Sequence, residues 1–303
     1  MFDQHAAPAV RPRSRRLRGA GAPPTMAFFS AAALLSGGCT AVTDPGRFDL
    51  CGGGRRSLVA ELTGFEELST ARIEIIATGG LTGEVATRAV VDTLHPEHDV
   101  EAGVVRVFLP CALPRGSFDA RVFVDEAGDG AYTPPAMGNP GDLAFLEPIA
   151  PGGSVRVDRD RSPQADISEN LVVQGREPFV MNLTNMSPHT PGTQRLELRV
   201  IDVTPDDPAT PFVSGYYRNG DIVTDDFVAD VPSSIVPGRA YRVDFYADLD
   251  DSGAYEGPPR NDHSWTEPAP PRTDTEEQMV FVGGADGLVV DFNHRGSFDD
   301  IPF

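Results

Sequence analysis

One stretch of this chain occurs twice, and that repetition constrains the fold more than anything else in it. It reads VFVDEAGDGAYTPP…GDLAFLEP at 122–148 and FYADLDDSGAYEGPP…NDHSWTEP at 245–268. Asp125, Gly130, Ala131 and Tyr132 stand 123 positions before Asp248, Gly253, Ala254 and Tyr255. Both copies close on the same pattern, Asp142, Phe145, Glu147, Pro148 against Asp262, Trp265, Glu267, Pro268. So many features kept in one order identify an internal duplication.

In each copy a strand leads into the acidic loop. Phe118, Ala120, Val122 and Val124 alternate with more polar neighbours, as do Tyr241, Val243, Phe245 and Ala247, the period of a strand with one face in a core. Seven strands are predicted in the first copy: Ser57–Leu62, Ala71–Thr78, Ala86–Leu94, Val104–Pro110, Phe118–Glu126, Asp142–Glu147 and Ser154–Asp160. The second echoes them, with Arg195–Val203 matching Ala71–Thr78 and Leu288–Asn293 matching Ser154–Arg159. Short strands cut by Gly and Pro turns, with no long helical period, predict an all-β chain of two tandem antiparallel immunoglobulin-like β-sandwich domains. Their expected limits are 56–175 and 176–303, after a signal segment 1–38 and a tether 39–55.

The second acidic loop places Asp248, Asp250 and Ser252 at alternate positions before Gly253. It resembles the start of an EF-hand or dockerin calcium loop, where alternate oxygens converge on one cation and Gly permits the turn. It departs from that pattern where Pro259 holds the place of the bidentate Glu, and where a strand rather than a helix leads in. Asp262 and Glu267, from the following segment, are the carboxylates expected to complete a shell. The first loop offers Asp125 and Asp129, with Ala127 where a ligand would stand. The alternative is that Asp, Ser and Gly simply make a tight hairpin turn. Calcium is the one cofactor expected.

The first 38 residues have the layout of an export signal. Arg11, Arg13, Arg15, Arg16 and Arg18 precede an apolar run, Met26–Leu35, and then Ser36-Gly37-Gly38-Cys39. Ten residues, all but Ser30 apolar, are too few to span a bilayer but suit a signal's hydrophobic region. Small residues leading to a cysteine resemble the lipobox of bacterial lipoproteins. That resemblance implies acylation of Cys39, a membrane anchor and a place in the cell envelope; plain secretion is the alternative. Removal of 1–38 leaves 20 arginines against 44 acids, a net charge of −24. Such a surface repels nucleic acid and attracts divalent cations. With Cys39 acylated, Cys51 and Cys111 remain as an even pair in an oxidising compartment, where a disulfide is expected rather than two free thiols. At the offset of 123, Cys111 falls opposite Ser234.

Catalytic constellations are thin. The chain has no Gly-x-Ser-x-Gly elbow, no phosphate-cradling glycine loop and no His-Glu-x-x-His. His95 and His98 flank Pro96 in a polar loop, and Glu147 and Glu267 are equivalent places in separate domains rather than a glycosidase pair. The reading is a non-catalytic, surface-anchored structural or interaction lipoprotein, calcium-braced at its repeated loop, with a protein or glycan partner. The alternatives are a glycan- or other ligand-binding protein using the loops near His263 and Trp265, and an enzyme of unrecognised type.

Overall fold

The computed structural model describes residues 54–65, 72–80, 83–92, 104–127, 133, 141–165, 167, 173–186, 195–204, 213–218, 225–249, 255–258, 262–268 and 279–301. The first copy supplies β1 (Arg56–Thr63), β2 (Arg72–Gly79), β3 (Val85–Asp92), β4 (Val104–Leu113), β5 (Phe118–Asp125), β6 (Leu143–Pro148) and β7 (Ser154–Asp158). The second supplies β8 (Glu177–Thr184), β9 (Arg195–Asp202), β10 (Val213–Arg218), β11 (Phe227–Ile235), β12 (Ala240–Asp248), β13 (Asp262–Glu267), β14 (Phe281–Val282) and β15 (Leu288–Asn293). The chain is all-β, of sandwich type.

The two copies share one topology. In the first, an inner sheet runs β3-β2-β5-β6 and an outer sheet runs β4-β1-β7. In the second, the inner order is β10-β9-β12-β13 and the outer order is β11-β8-β15. Within each copy the neighbours are antiparallel, except that β7 joins β1 and β15 joins β8 in parallel.

The inner sheets are not separate. β3 and β10, equivalent strands of the two copies, pair in parallel, Gly215 beside Ala89 and Tyr217 beside Val91, making one nine-stranded sheet. Successive side chains of a strand point to opposite faces. Accordingly Ala89, Val91, Val213 and Tyr217 enter the first core, with Leu58, Ile75, Leu109 and Val122. Val90 and Tyr216 enter the second, with Phe179, Leu198, Phe245 and Trp265. The two outer sheets therefore cover opposite faces of the shared sheet, and β3 and β10 are buried on both. Their sequences show it, since Val85–Val91 is buried throughout despite carrying Thr87 and Arg88.

A strand buried on both faces must satisfy any polar side chain it carries. Thr87 donates its hydroxyl to the Val213 carbonyl across the seam. Arg88 pairs with Glu74 at 2.9 Å and donates to the Pro232 carbonyl of β11 at 3.1 Å. Burial pushes its guanidinium below the ordinary range, with Glu74 opposing.

Four sheet edges, those at β6, β13, β4 and β11, are covered by the chain itself. Beyond β7, Ala165 N donates to Ala144 O at 2.7 Å along β6. Beyond β15, Asp299 N donates to Ser264 O at 2.8 Å along β13, and its carboxylate accepts from Thr266 N at 3.1 Å. At the outer sheets, side chains of the opposite copy reach the edge carbonyls. Arg195 and Tyr217 donate to Arg106 O and Phe108 O of β4, at 2.9 and 2.6 Å. Arg72 grips both the carboxylate and the carbonyl of Asp230 on β11. Unpaired strand edges template association with other chains, and these contacts blunt them.

The seam tolerates little extra volume. A Cβ on Gly215 would lie 2.6 Å from Leu109 Cδ2 and 2.8 Å from Tyr217 Cε2. Both neighbours are buried, and Tyr217 is held by its hydroxyl. Gly215→Val is expected to cost about 1–3 kcal/mol by overpacking, read as a lower urea midpoint. An unchanged midpoint would mean that the seam is looser than described.

Candidate functional site

The repeated loops leave the sheet at equivalent points. β5 and β12 run in the same sense through the shared sheet because β3 and β10 are parallel, so Asp125 and Asp248 close equivalent strands at matching ends of their ladders. Each is buried, and each stands across its ladder from a repeated arginine, Asp125 from Arg72 and Asp248 from Arg195. Burial works against the Arg195 guanidinium, yet the nearby Glu197, and then Tyr246, Tyr217 and Asp248, raise its pKa above the ordinary range. A cation of the protein's own therefore faces the second loop's first aspartate. The sequence reading missed these arginines, although Arg72 and Arg195 repeat at the same offset of 123.

Asp142 and Asp262 have a clear role. Asp142, 1% exposed, accepts from Glu126 N at 2.9 Å and Ala127 N at 3.3 Å through Oδ1, and from Thr133 N at 2.6 Å through Oδ2. Asp262, fully buried, accepts from Leu249 N at 3.4 Å and Glu256 N at 2.6 Å. In each copy one carboxylate ties the start of the loop to its return, satisfying amides that a bend leaves unpaired. Asp262 was expected as a calcium ligand; its described bonds are those of a brace.

Glu267 corrects a second expectation. Asp248 lies opposite Asp262, but Glu267 lies opposite Val243 at the other end of β13. Five residue steps along β13 separate the Asp262 and Glu267 backbones by roughly 17 Å and turn their side chains to opposite faces, so Glu267 completes no shell around Asp248. It faces Arg295 at 3.4 Å instead. Burial raises its pKa, with Arg295 opposing and Asp299 adding to the rise. Asp129, Asp250 and Ser252 lie outside the described residues, as do Cys39, Cys51, His95 and His98. Among the described residues, no three His, Cys, Asp or Glu side chains gather as a metal site.

Trp265 is a core residue. It is fully buried, stacked on Phe245 with centroids 5.3 Å apart and edge-on to Phe292 at 5.5 Å, and its Nε1 donates to Arg295 O at 3.2 Å. His263 stacks on Phe298 at 3.8 Å, so the closing segment, not an open cleft, occupies its ring face.

Cys111 sits on a bulge of β4 with φ +54°. The ladders pair Leu58 with Leu109 and Phe179 with Val231. Counted from there, Cys111 corresponds to Ser233, not Ser234, and Ser233 shares the left-handed conformation at φ +48°. β4 and β11 are offset by 122 where the loops are offset by 123, which moved the expected match by one.

The brace is testable. Asp142→Ala and Asp262→Ala each remove an ionised acceptor from buried amides and are expected to cost about 1.5–3 kcal/mol, read by urea unfolding in chelator. A loss below the noise in both would show that the loops close without them.

Neither a scan of protein-family models nor a search of curated proteins finds a match. Among solved structures, the chain is similar over a portion of its length to the tip fimbrial protein Mfa3 from Porphyromonas gingivalis with C-terminal truncation. The identity is 10% over 62% of this chain and 77% of that one, with a TM-score of 0.21, a likeness too slight to bear on function.

Proposed function

We propose that the mature chain is a non-catalytic, envelope-exposed structural or interaction module, held to a membrane by lipid on Cys39. The observation that carries this reading is the use to which the repeated polar residues are put. Asp142 and Asp262 tie loops, and Arg72 and Arg195 secure the edges of the other copy's outer sheet. Chemistry kept in both copies serves the scaffold. A ligand site built around Trp265 is disfavoured by the burial of that ring.

Acylation of Cys39 and a Cys51–Cys111 bridge belong to the same proposal, supported by the lipobox-like Ser36-Gly37-Gly38-Cys39 and by the even cysteine count that remains. Membrane fractions should contain the processed chain, with an intact mass carrying acyl groups and lacking two thiol protons. Cys39→Ser should release or misprocess it. Unaltered processing and membrane association in that variant would refute the anchor.

Calcium bracing is the finer element of the reading, confined to the second loop. If Asp248 joins Asp250 and Ser252 around a cation, millimolar calcium should raise the melting temperature through linkage, with affinity on the order of 10⁻⁴–10⁻³ M. Asp250→Ala should abolish most of that rise, and Asp125→Ala should change it little. A melting curve insensitive to calcium would leave the loop as a hairpin closed by Asp262 alone.

A further inference from the structure

The acidic loop of the second copy and the segment that follows β15 meet at one side chain. Asp262 holds the loop's return by accepting from Glu256 N at 2.6 Å. The neighbouring Tyr255 lies against the sheet, its ring edge-on to Tyr246 with centroids 5.2 Å apart. Its hydroxyl stands 3.0 Å from Ser264 Oγ and accepts from Ile301 N at 3.3 Å. Ser264 Oγ in turn donates to Asp299 O. A hydroxyl has a single proton to give, so with that of Ser264 committed to Asp299 O, that of Tyr255 goes to Ser264 Oγ. Asp300 Oδ1, 3.5 Å from the tyrosine oxygen, is beyond the usual range for such a bond. The bonds therefore run as a relay from Ile301 N through Tyr255 and Ser264 to Asp299 O, each member polarising the next.

The segment held in this way is a strap over the edge of β13. Asp299 N donates to Ser264 O, the Asp299 carboxylate accepts from Thr266 N, and Arg295 donates to Thr266 O at 3.3 Å. The strap thus takes up backbone groups on the outer side of β13, and the buried Ile301 ends it. The first copy has the same strap without the relay. There Ala165 N donates to Ala144 O, so Asp299 and Ser264 correspond to Ala165 and Ala144, and Ile301 to Ile167. Ile167 packs on Ile76, Phe123 and Ala144, and alanine has no hydroxyl to pass a bond on. The first strap rests on apolar packing, the second on bonds that begin in the acidic loop.

We infer that the return of this loop and the strap open and close as one unit, so that the acidic loop governs whether the edge of β13 is covered. Release of the strap uncovers Ser264 O and Thr266 N, edge groups to which an extended segment can add. By linkage, a ligand that favours the closed loop favours the covered edge by the same free energy. The coupling stands apart from the calcium reading above, because every bond in the relay joins protein to protein.

The test is native-state hydrogen exchange on the mature chain, residues 40–303, in chelator, followed amide by amide by NMR across sub-denaturing urea. The amides of Glu256, Asp299 and Ile301 are each donors in these bonds. They should converge on one opening free energy and one urea dependence, below those of the slowest core amides. Tyr255→Phe keeps the ring and removes the relay, and should speed all three by a common factor of roughly three to ten. Asp299→Ala acts from the other end, and the Glu256 amide should then quicken by the factor seen at Ile301. Strap amides that quicken in either variant while Glu256 keeps its parent rate would show two independent segments and overturn the inference. Exchange of all three amides only through global unfolding would overturn it as well, since loop and strap would then have no opening of their own.

Discussion

The parallel pairing of β3 with β10 is the interaction on which the rest of the molecule depends. It merges two four-stranded inner sheets and puts their cores on opposite faces. It also brings each copy's arginines within reach of the other's outer sheet, Arg72 and Arg88 to β11 and Arg195 to β4. Parallel ladders are ordinarily buried, and this one has an outer strand above it on either side. Neither copy is complete alone, because β10 closes one side of the first core and β3 one side of the second.

Symmetry of backbone has not meant symmetry of chemistry. On the side of the sheet away from its own outer layer, the first copy carries Ile76, Phe123 and Ala144, packed with Ile167 and Val173 from the segment joining the copies. The equivalent places in the second copy are Arg199, Tyr246 and Ser264, all buried. Glu197 lies within reach of Arg195 at 3.0 Å, and Asp244 accepts from both Arg242 and Thr266. Burial pushes the Tyr217 and Tyr246 hydroxyls above their ordinary range and lowers the Arg199 guanidinium. A polar layer of this kind contributes little net stability compared with an apolar one, but losing one member strands its partners.

Much of this was legible beforehand. All seven strands of the first copy lie within a few residues of their expected bounds, and alternation is plain in those, such as β4, that present one face to a core. The joined sheet was less visible. Its signal is Ala86–Val91, where alternation fails because both faces are covered, yet the same run fits any central strand. Asp142 and Asp262 were legible as matching positions, but their role as loop braces was not, since a carboxylate that accepts from amides has the same sequence signature as one that binds a cation, the role expected of Asp262. Glu267 was placed wrongly because proximity along β13 was taken for proximity in space. Arg72 and Arg195 repeat openly, but nothing local distinguishes an arginine that crosses to another copy from one that faces solvent.

The position of β1 bears on how the molecule would carry a load. β1 is the middle strand of its sheet, bonded to β4 on one side and β7 on the other. A pull on the chain ahead of Arg56 that is opposed along the strand strains the bonds on both flanks together in shear. They cannot break in sequence, as they would if an edge strand were peeled away. The first element that tension meets is thus one held along both flanks, and the seam lies behind it.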